Sequence, residues 1–353
     1  MTARLTTSIT GPRIRVARLP RHGWSTRYDR RAVRRTGIIV LAVVLTGAFA
    51  LTRGAAEIGV GDLARVLTGG GNDISRLVVL EWRMPRIMMA ITAGAALATA
   101  GAFVQTITRN PLGSPDVIGF SAGSYFGVLV VVVVLHAPRE ARGPGAIAGG
   151  LLAAAAVWLL ANRGGITGFR LIIVGIGISS LLTGLSTWLV LTSTDEQFKT
   201  VTFWGAGSLD ALTWSSITPA VILVGLLLLA ATPLSGPLRQ LELGDRAARA
   251  SGARVELSRA LALALSILLV ATITATCGPI EFVALAAPQI ARRITGTSSI
   301  GIVSAAATGA LLVLIADLIG DELSPVGLPA GVVTLIFGGA YLTALLINEA
   351  RRP

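Results

Sequence analysis

Ten apolar runs divide the chain, at roughly 37–52, 87–107, 117–136, 146–162, 169–192, 217–232, 260–276, 280–294, 299–318 and 330–348. None shows the two-residue alternation of a half-buried strand, so each predicts a helix. Several are shorter than the roughly 20 residues that cross a hydrocarbon core at right angles. Short or glycine-interrupted spans suit helices packed inside other protein or lining a cavity. The pattern predicts an all-α, polytopic membrane protein with about ten transmembrane helices. It divides the chain into a tail, 1–36, and one transmembrane domain, 37–353, that carries a polar segment at 239–256. The run at 280–294 is the least regular, because it contains Glu281 and Pro288 and ends at Arg292-Arg293.

The polar stretch LELGDRAARASGARVELSR, 241–259, has a pattern of its own. Glu242, Asp245, Arg246 and Arg249 fall at helical spacing. Glu242/Arg246 and Asp245/Arg249 are acid-before-base pairs four residues apart, the favoured order on a helix. Gly244-Asp245 offers a start and Gly252 a stop. Two readings stand: a solvated connector helix, or a folded helix offered to a partner on one side of the membrane.

Charge decides which side. Only 14% of residues are charged, against roughly 25% in a soluble chain. If both termini share a side, 22 of the 30 Lys and Arg residues but only 6 of the 18 acids fall there. The positive-inside bias then puts both termini, and the polar segment, in the cytoplasm. Ten of those arginines precede the first apolar run. That tail is too long for a signal peptide; it favours cytoplasmic retention and contact with anionic membrane lipid rather than nucleic acid.

Little chemistry is visible. The lone Cys277 excludes a disulfide framework, and His22 and His136 form no cluster, so no metal site is expected. No Gly-rich phosphate loop of the Walker type is present. Small residues four apart at Gly94, Ala98 and Ala102 predict close helix approach in the second span. Arg83-Met84-Pro85-Arg86 at its outer start reads either as snorkelling anchors or as a docking point for an acidic surface. Arg109-Asn110-Pro111 reads as a stiff cytoplasmic turn. Glu281, after the break at Gly278-Pro279, reads either as an intramembrane carboxylate or as an interface residue, and Asp317, Asp321 and Glu322 cluster at the outer end of the ninth run. None of these makes a clean acid–base pair for ion coupling.

Five stretches, in order, carry a resemblance: RMPRIMMAITAGAALATAGAFVQTITRNPLGSPDVIGFSAGSYFG (83–127), FWGAGSL (203–209), LELGDRAARASGA (241–253), GPIEFVALAAPQIARRITG (278–296) and GLPAGVVTLIFGG (327–339). Over about 270 residues the chain resembles the permease subunits of FecCD/BtuC-like type II ABC importers for iron–siderophore complexes, haem and vitamin B12. The resemblance implies a type II ABC importer permease fold with no catalytic activity and no cofactor of its own, the ATP being used by a separate subunit. It implies a homodimer or heterodimer with a sister permease, two ATPase subunits, an extracytoplasmic substrate-binding protein, and a place in the cytoplasmic membrane. It further implies that Leu241, Glu242, Leu243, Gly244, Asp245, Arg246, Arg249 and Gly252 belong to the ATPase-coupling segment, and that Arg83 and Arg86 meet carboxylates of the binding protein. A ferric siderophore is the expected cargo, with haem or vitamin B12 the alternatives. An ion-coupled secondary transporter is the competitor from a different class.

The chain departs from the family pattern at five places. Arg246 stands where an acid is usual, Gln289 where histidine is usual, and Glu281 where glycine precedes Phe-Val. Gly338-Gly339-Ala340 replaces Gly-Ala-Pro, and Asp321 aligns with a further outer arginine of some members.

Overall fold

The computed structural model describes residues 14–18, 25–54, 56, 58–116, 118–161, 168–297, 299, 301–323 and 327–350. Several tail arginines, Arg163 and Arg351-Arg352, which entered the charge count, lie outside them, as does His22. The chain folds as helices α1 Arg30–Thr52, α2 Val60–Leu67, α3 Asp73–Arg76, α4 Met84–Thr108, α5 Phe120–Leu129, α6 Arg142–Ala161, α7 Gly168–Thr192 and α8 Asp195–Gly205. There follow α9 Trp214–Ala231, α10 Ser235–Glu242, α11 Asp245–Ala250, α12 Val255–Cys277, α13 Val283–Thr295, α14 Ile302–Leu323 and α15 Ala330–Ala350. The tail also contains a short antiparallel hairpin, β1 Ile14–Arg18 and β2 Ser25–Asp29, which the sequence pattern did not predict. Asp29 then caps α1 by accepting from the Arg31 amide at 2.7 Å.

Each of the ten apolar runs coincides with a helix, but the crossings are unequal. Among the described residues, seven helices are long and apolar enough to cross a membrane. The other three runs correspond to the shorter Phe120–Val134, the 13-residue α13, and α15. The second crossing is longer than its apolar run. It begins at Asp73 and passes through a π-helical segment, Leu77–Arg83, before Pro85 sits in the first turn of α4, where its missing N–H costs nothing.

Helix α4 is the hub. It is apolar on every side, as a fully enclosed helix must be, and packs against α14, α12, α13, α9 and α10. Its glycines allow that crowding. A Cβ on Gly94 would strike the carbonyl of Gly309 on α14, and one on Gly101 the carbonyl of Ala284 on α13. The predicted close approach therefore holds at Gly94, and Gly101, off the predicted spacing, makes a second one. Pro288 lacks the N–H that would bond Ala284 O in a regular helix, and Gly101 faces that carbonyl. A third approach, between Gly123 and Gly127 of α5 and Gly145 and Gly149 of α6, rests on the same absence of side chains. By contrast α1 buries one stripe, Ile39, Val43, Gly47 and Ala50, and exposes Ile38, Leu41, Val44, Leu45 and Phe49.

Candidate functional site

The polar stretch folds as two short helices rather than one. Gly244, at φ 105° and ψ 153°, breaks the chain between α10 and α11 in a region essentially closed to other residues. Gly252, at φ 85°, ends α11. This break overturns the expected side-chain pairs. Glu242 and Arg246 lie on different helices, and Asp245 turns inward instead of reaching Arg249. The Asp245 carboxylate accepts from Arg109 and, at 2.7 Å, from Arg259 of α12. Arg249 pairs with Glu256 at 3.1 Å. Arg109 also donates from Nε to the Leu241 carbonyl at 3.0 Å. Burial alone would raise the Asp245 carboxyl, but hydrogen bonds from Arg109 and Arg259, with their charges, outweigh it and hold it below the usual aspartate value.

The segment is seated on one side and exposed on the other. Leu238, Leu241 and Ala248 are buried, whereas Leu243 is 77% exposed and Arg246 is exposed beside it. Below α4 the chain turns, with the Gly113 amide donating to the Asn110 carbonyl at 3.0 Å. Asn110 Oδ1 accepts from the Leu112 amide at 2.9 Å, ahead of which Pro111 fixes φ. Arg109 itself has φ 52°, a conformation that costs a non-glycine residue about 1–2 kcal/mol.

The outer arginines are occupied. Arg86 sits half-buried and donates from Nε to both oxygens of Asp317, at 3.0 and 2.8 Å. Its Nη1 reaches Asp210 at 3.0 Å and Asp321 at 3.2 Å. Asp317 is nearly sealed, with 8% of its side chain exposed. Arg83 donates to the carbonyls of Leu51, at 2.7 Å, and Ala56. Both arginines line a cavity of about 420 Å³ with Arg53, Trp82 and Asp321. Asp321, where some family members carry an arginine, instead accepts from one.

Sequence reasoning missed the middle of the bundle. Asp116, which the sequence did not single out, and Glu281, which is exposed, lie in the segments that lead into α5 and α13. Asp116 accepts from Ser121 Oγ at 2.6 Å and from the Phe282 amide. The cause is the shortness of α5 and α13, which both begin deep in the bundle, after Gly119 at φ 92° and Phe282 at φ 65°. Gln289 donates to Gln105 Oε1 at 2.6 Å, and Gln105 donates to Leu285 O at 2.9 Å. These buried amides tie α4 to α13. An acid sitting between a proline turn and an apolar run was the available signal for Asp116.

Comparison with known proteins agrees with this architecture. The model of the FecCD transport family matches residues 40–348. The ferric enterobactin transport system permease protein FepG of Escherichia coli (strain K12) is 45% identical over 316 residues, covering 89% of this chain and 96% of that protein. The probable siderophore transport system permease protein YfhA of Bacillus subtilis (strain 168) is 35% identical over 298 residues, 81% of this chain and 86% of that one. Among solved structures, a metal-chelate type ABC transporter in an inward-facing conformation superposes with TM-score 0.78 at 26% identity, covering 90% of this chain and 99% of that one.

Proposed function

This chain belongs to the FecCD transport family, and we propose from that premise that it is the membrane permease of an ATP-driven importer for ferric siderophores. The observation that carries the cargo is the 45% identity with FepG across nearly the whole of both chains. The observation that supports ATP coupling is structural: a cytoplasmic segment, Leu241–Gly252, is pinned on one side and exposed on the other. Leu243 and Arg246 on its free surface would meet a groove on an ATPase subunit, which binds and hydrolyses the ATP. This chain supplies the pathway and no catalysis.

The rest of the assembly follows the same reading. Both termini lie in the cytoplasm, and a sister permease completes the pathway. A loaded binding protein docks outside, at the corner organised by Arg83 and Arg86. Arg83 also orders the loop around it through the Leu51 and Ala56 carbonyls, and Arg86 is held by Asp317. ATP drives the ATPases together, the coupling segment moves with them, and the bundle rocks from one opening to the other. Each step needs a partner that binds one state better than the other.

The test is uptake of ferric enterobactin by cells that lack their own permease for it and carry this chain with its partner subunits. Uptake that requires the ATPase supports the proposal. Uptake that persists without any ATPase would identify a secondary transporter. Competition by haem or vitamin B12, and none by ferric siderophores, would reassign the cargo.

A further inference from the structure

We propose that Arg109 is the positioning residue that carries movement of the coupling segment into the core of the bundle; this rests on the importer reading. Arg109 holds the segment at two points, on either side of the Gly244 break. Its Nε bonds the Leu241 carbonyl at the end of α10, and its Nη2 bonds the carboxylate of Asp245 at the start of α11. Asp245 lies 136 positions along the chain from Arg109. Arg259 also holds Asp245, but it belongs to α12, the helix into which the segment runs. Arg109 ties the same carboxylate to α4, the hub of the fold.

From Arg109 the connection continues without a gap. The amides of Arg109 and Asn110 both donate to the Gln105 carbonyl, one turn up α4. The Gln105 side chain donates to Leu285 O, and Gln289 donates to it in turn. Asp245, Arg109, Gln105 and α13 thus form one hydrogen-bonded line from the cytoplasmic face to the half-length helix in the bundle. The left-handed backbone of Arg109 points the same way. A strained conformation persists only where its surroundings hold it, and here both ends of the guanidinium are held. Spatial continuity alone does not establish coupling; the rival is direct packing of Leu238 and Leu241 on α4 and α12, which would move the bundle whatever stands at 109.

The experiment uses the assembled complex with its ATPase, in proteoliposomes, with ferric enterobactin as the probe. Arg109→Ala is expected to retain ATP hydrolysis and lose uptake per ATP by roughly tenfold, within the usual range of coupling between sites. Asp245 keeps Arg259 in that variant, so no carboxylate is orphaned. Arg109→Lys is expected to fall between, since an ammonium reaches Asp245 without also holding Leu241 O. Arg109→Ala combined with Asp245→Asn is expected to be no worse than the poorer single variant. A readout free of cargo accompanies these. Ile290→Cys, at a half-buried position on the cavity between α13, α14 and α15, is labelled with and without a non-hydrolysable ATP analogue; the native Cys277 is buried. The labelling rate should respond to nucleotide with Arg109 present and not with Arg109→Ala. If it responds equally in both, or if Arg109→Ala loses hydrolysis, uptake and thermal stability together while Arg109→Lys restores none of them, the proposal is overturned. If the unaltered complex takes up no ferric enterobactin, the cargo reading fails, and the labelling still decides the role of Arg109.

Discussion

Arg86 is the residue whose loss the bundle should feel most at its outer face. Removing it leaves Asp317 buried without its partner, a change that costs about 3–5 kcal/mol when a buried pair is broken from one side. Arg65→Ala, which breaks an exposed pair with Asp62, should cost at most about 1 kcal/mol. Thermal unfolding of the purified protein in detergent compares them directly. Arg86→Met with Asp317→Leu should recover most of the loss, because it removes both charges. Asp245 makes a separate prediction. Its carboxyl lies below the ordinary aspartate value of about 4. The folded chain therefore keeps it ionised where the unfolded chain has begun to bind a proton. Its contribution is whole above that ordinary value and disappears as the pH falls through the lowered one. The difference in melting temperature between the unaltered protein and Asp245→Asn should accordingly narrow below about pH 4. A difference that stays constant down to pH 3 would contradict the pairing with Arg109 and Arg259.

At the scale of elements, apolar pattern located the helices and failed at their breaks. Hydrophobicity reports which stretches avoid water, and each predicted run is helical. It gives length only roughly: the run at 280–294 is the least regular and is the 13-residue α13, whereas the 20-residue run at 117–136 is the shorter Phe120–Val134. Asp116, just ahead of α5, instead accepts from Ser121 Oγ and the Phe282 amide. The coupling segment failed for a related reason. Gly244-Asp245 and Gly252 do mark the start and stop of α11, but the helical spacing runs back across that start to Glu242, which belongs to α10. The predicted ion pairs were lost, and their replacement, Arg109 to Asp245, joins positions too far apart for any local rule. Close packing was better legible, since small residues at Gly94 mark where backbones meet. Two glycine substitutions test these elements. Gly101→Leu should abolish folded protein, because its side chain meets the backbone of Ala284, whereas Gly225→Ala in α9, with nothing within 4 Å, should be tolerated. Gly244→Ala should strain the break by about 1–3 kcal/mol and lower coupling more than it lowers melting temperature; equal uptake per ATP would mean the break has no mechanical role.

The whole molecule is a bundle with two polar ends joined through α4. At one end Arg83 and Arg86 secure loops to the core, and at the other Arg109 and Arg259 secure the segment Leu241–Gly252. Neither end holds a nucleotide loop of the Walker type, and between them buried amides tie α4 to α13. On the importer reading, partner subunits move this bundle. The measurement that tests this most directly is ATP-dependent accumulation of ferric enterobactin in proteoliposomes holding the full complex, with and without the ATPase subunits. The account predicts accumulation that needs both ATP and the ATPase. Accumulation that proceeds without them, or a complete assembly that hydrolyses ATP in response to loaded binding protein yet moves no ferric siderophore, would contradict it.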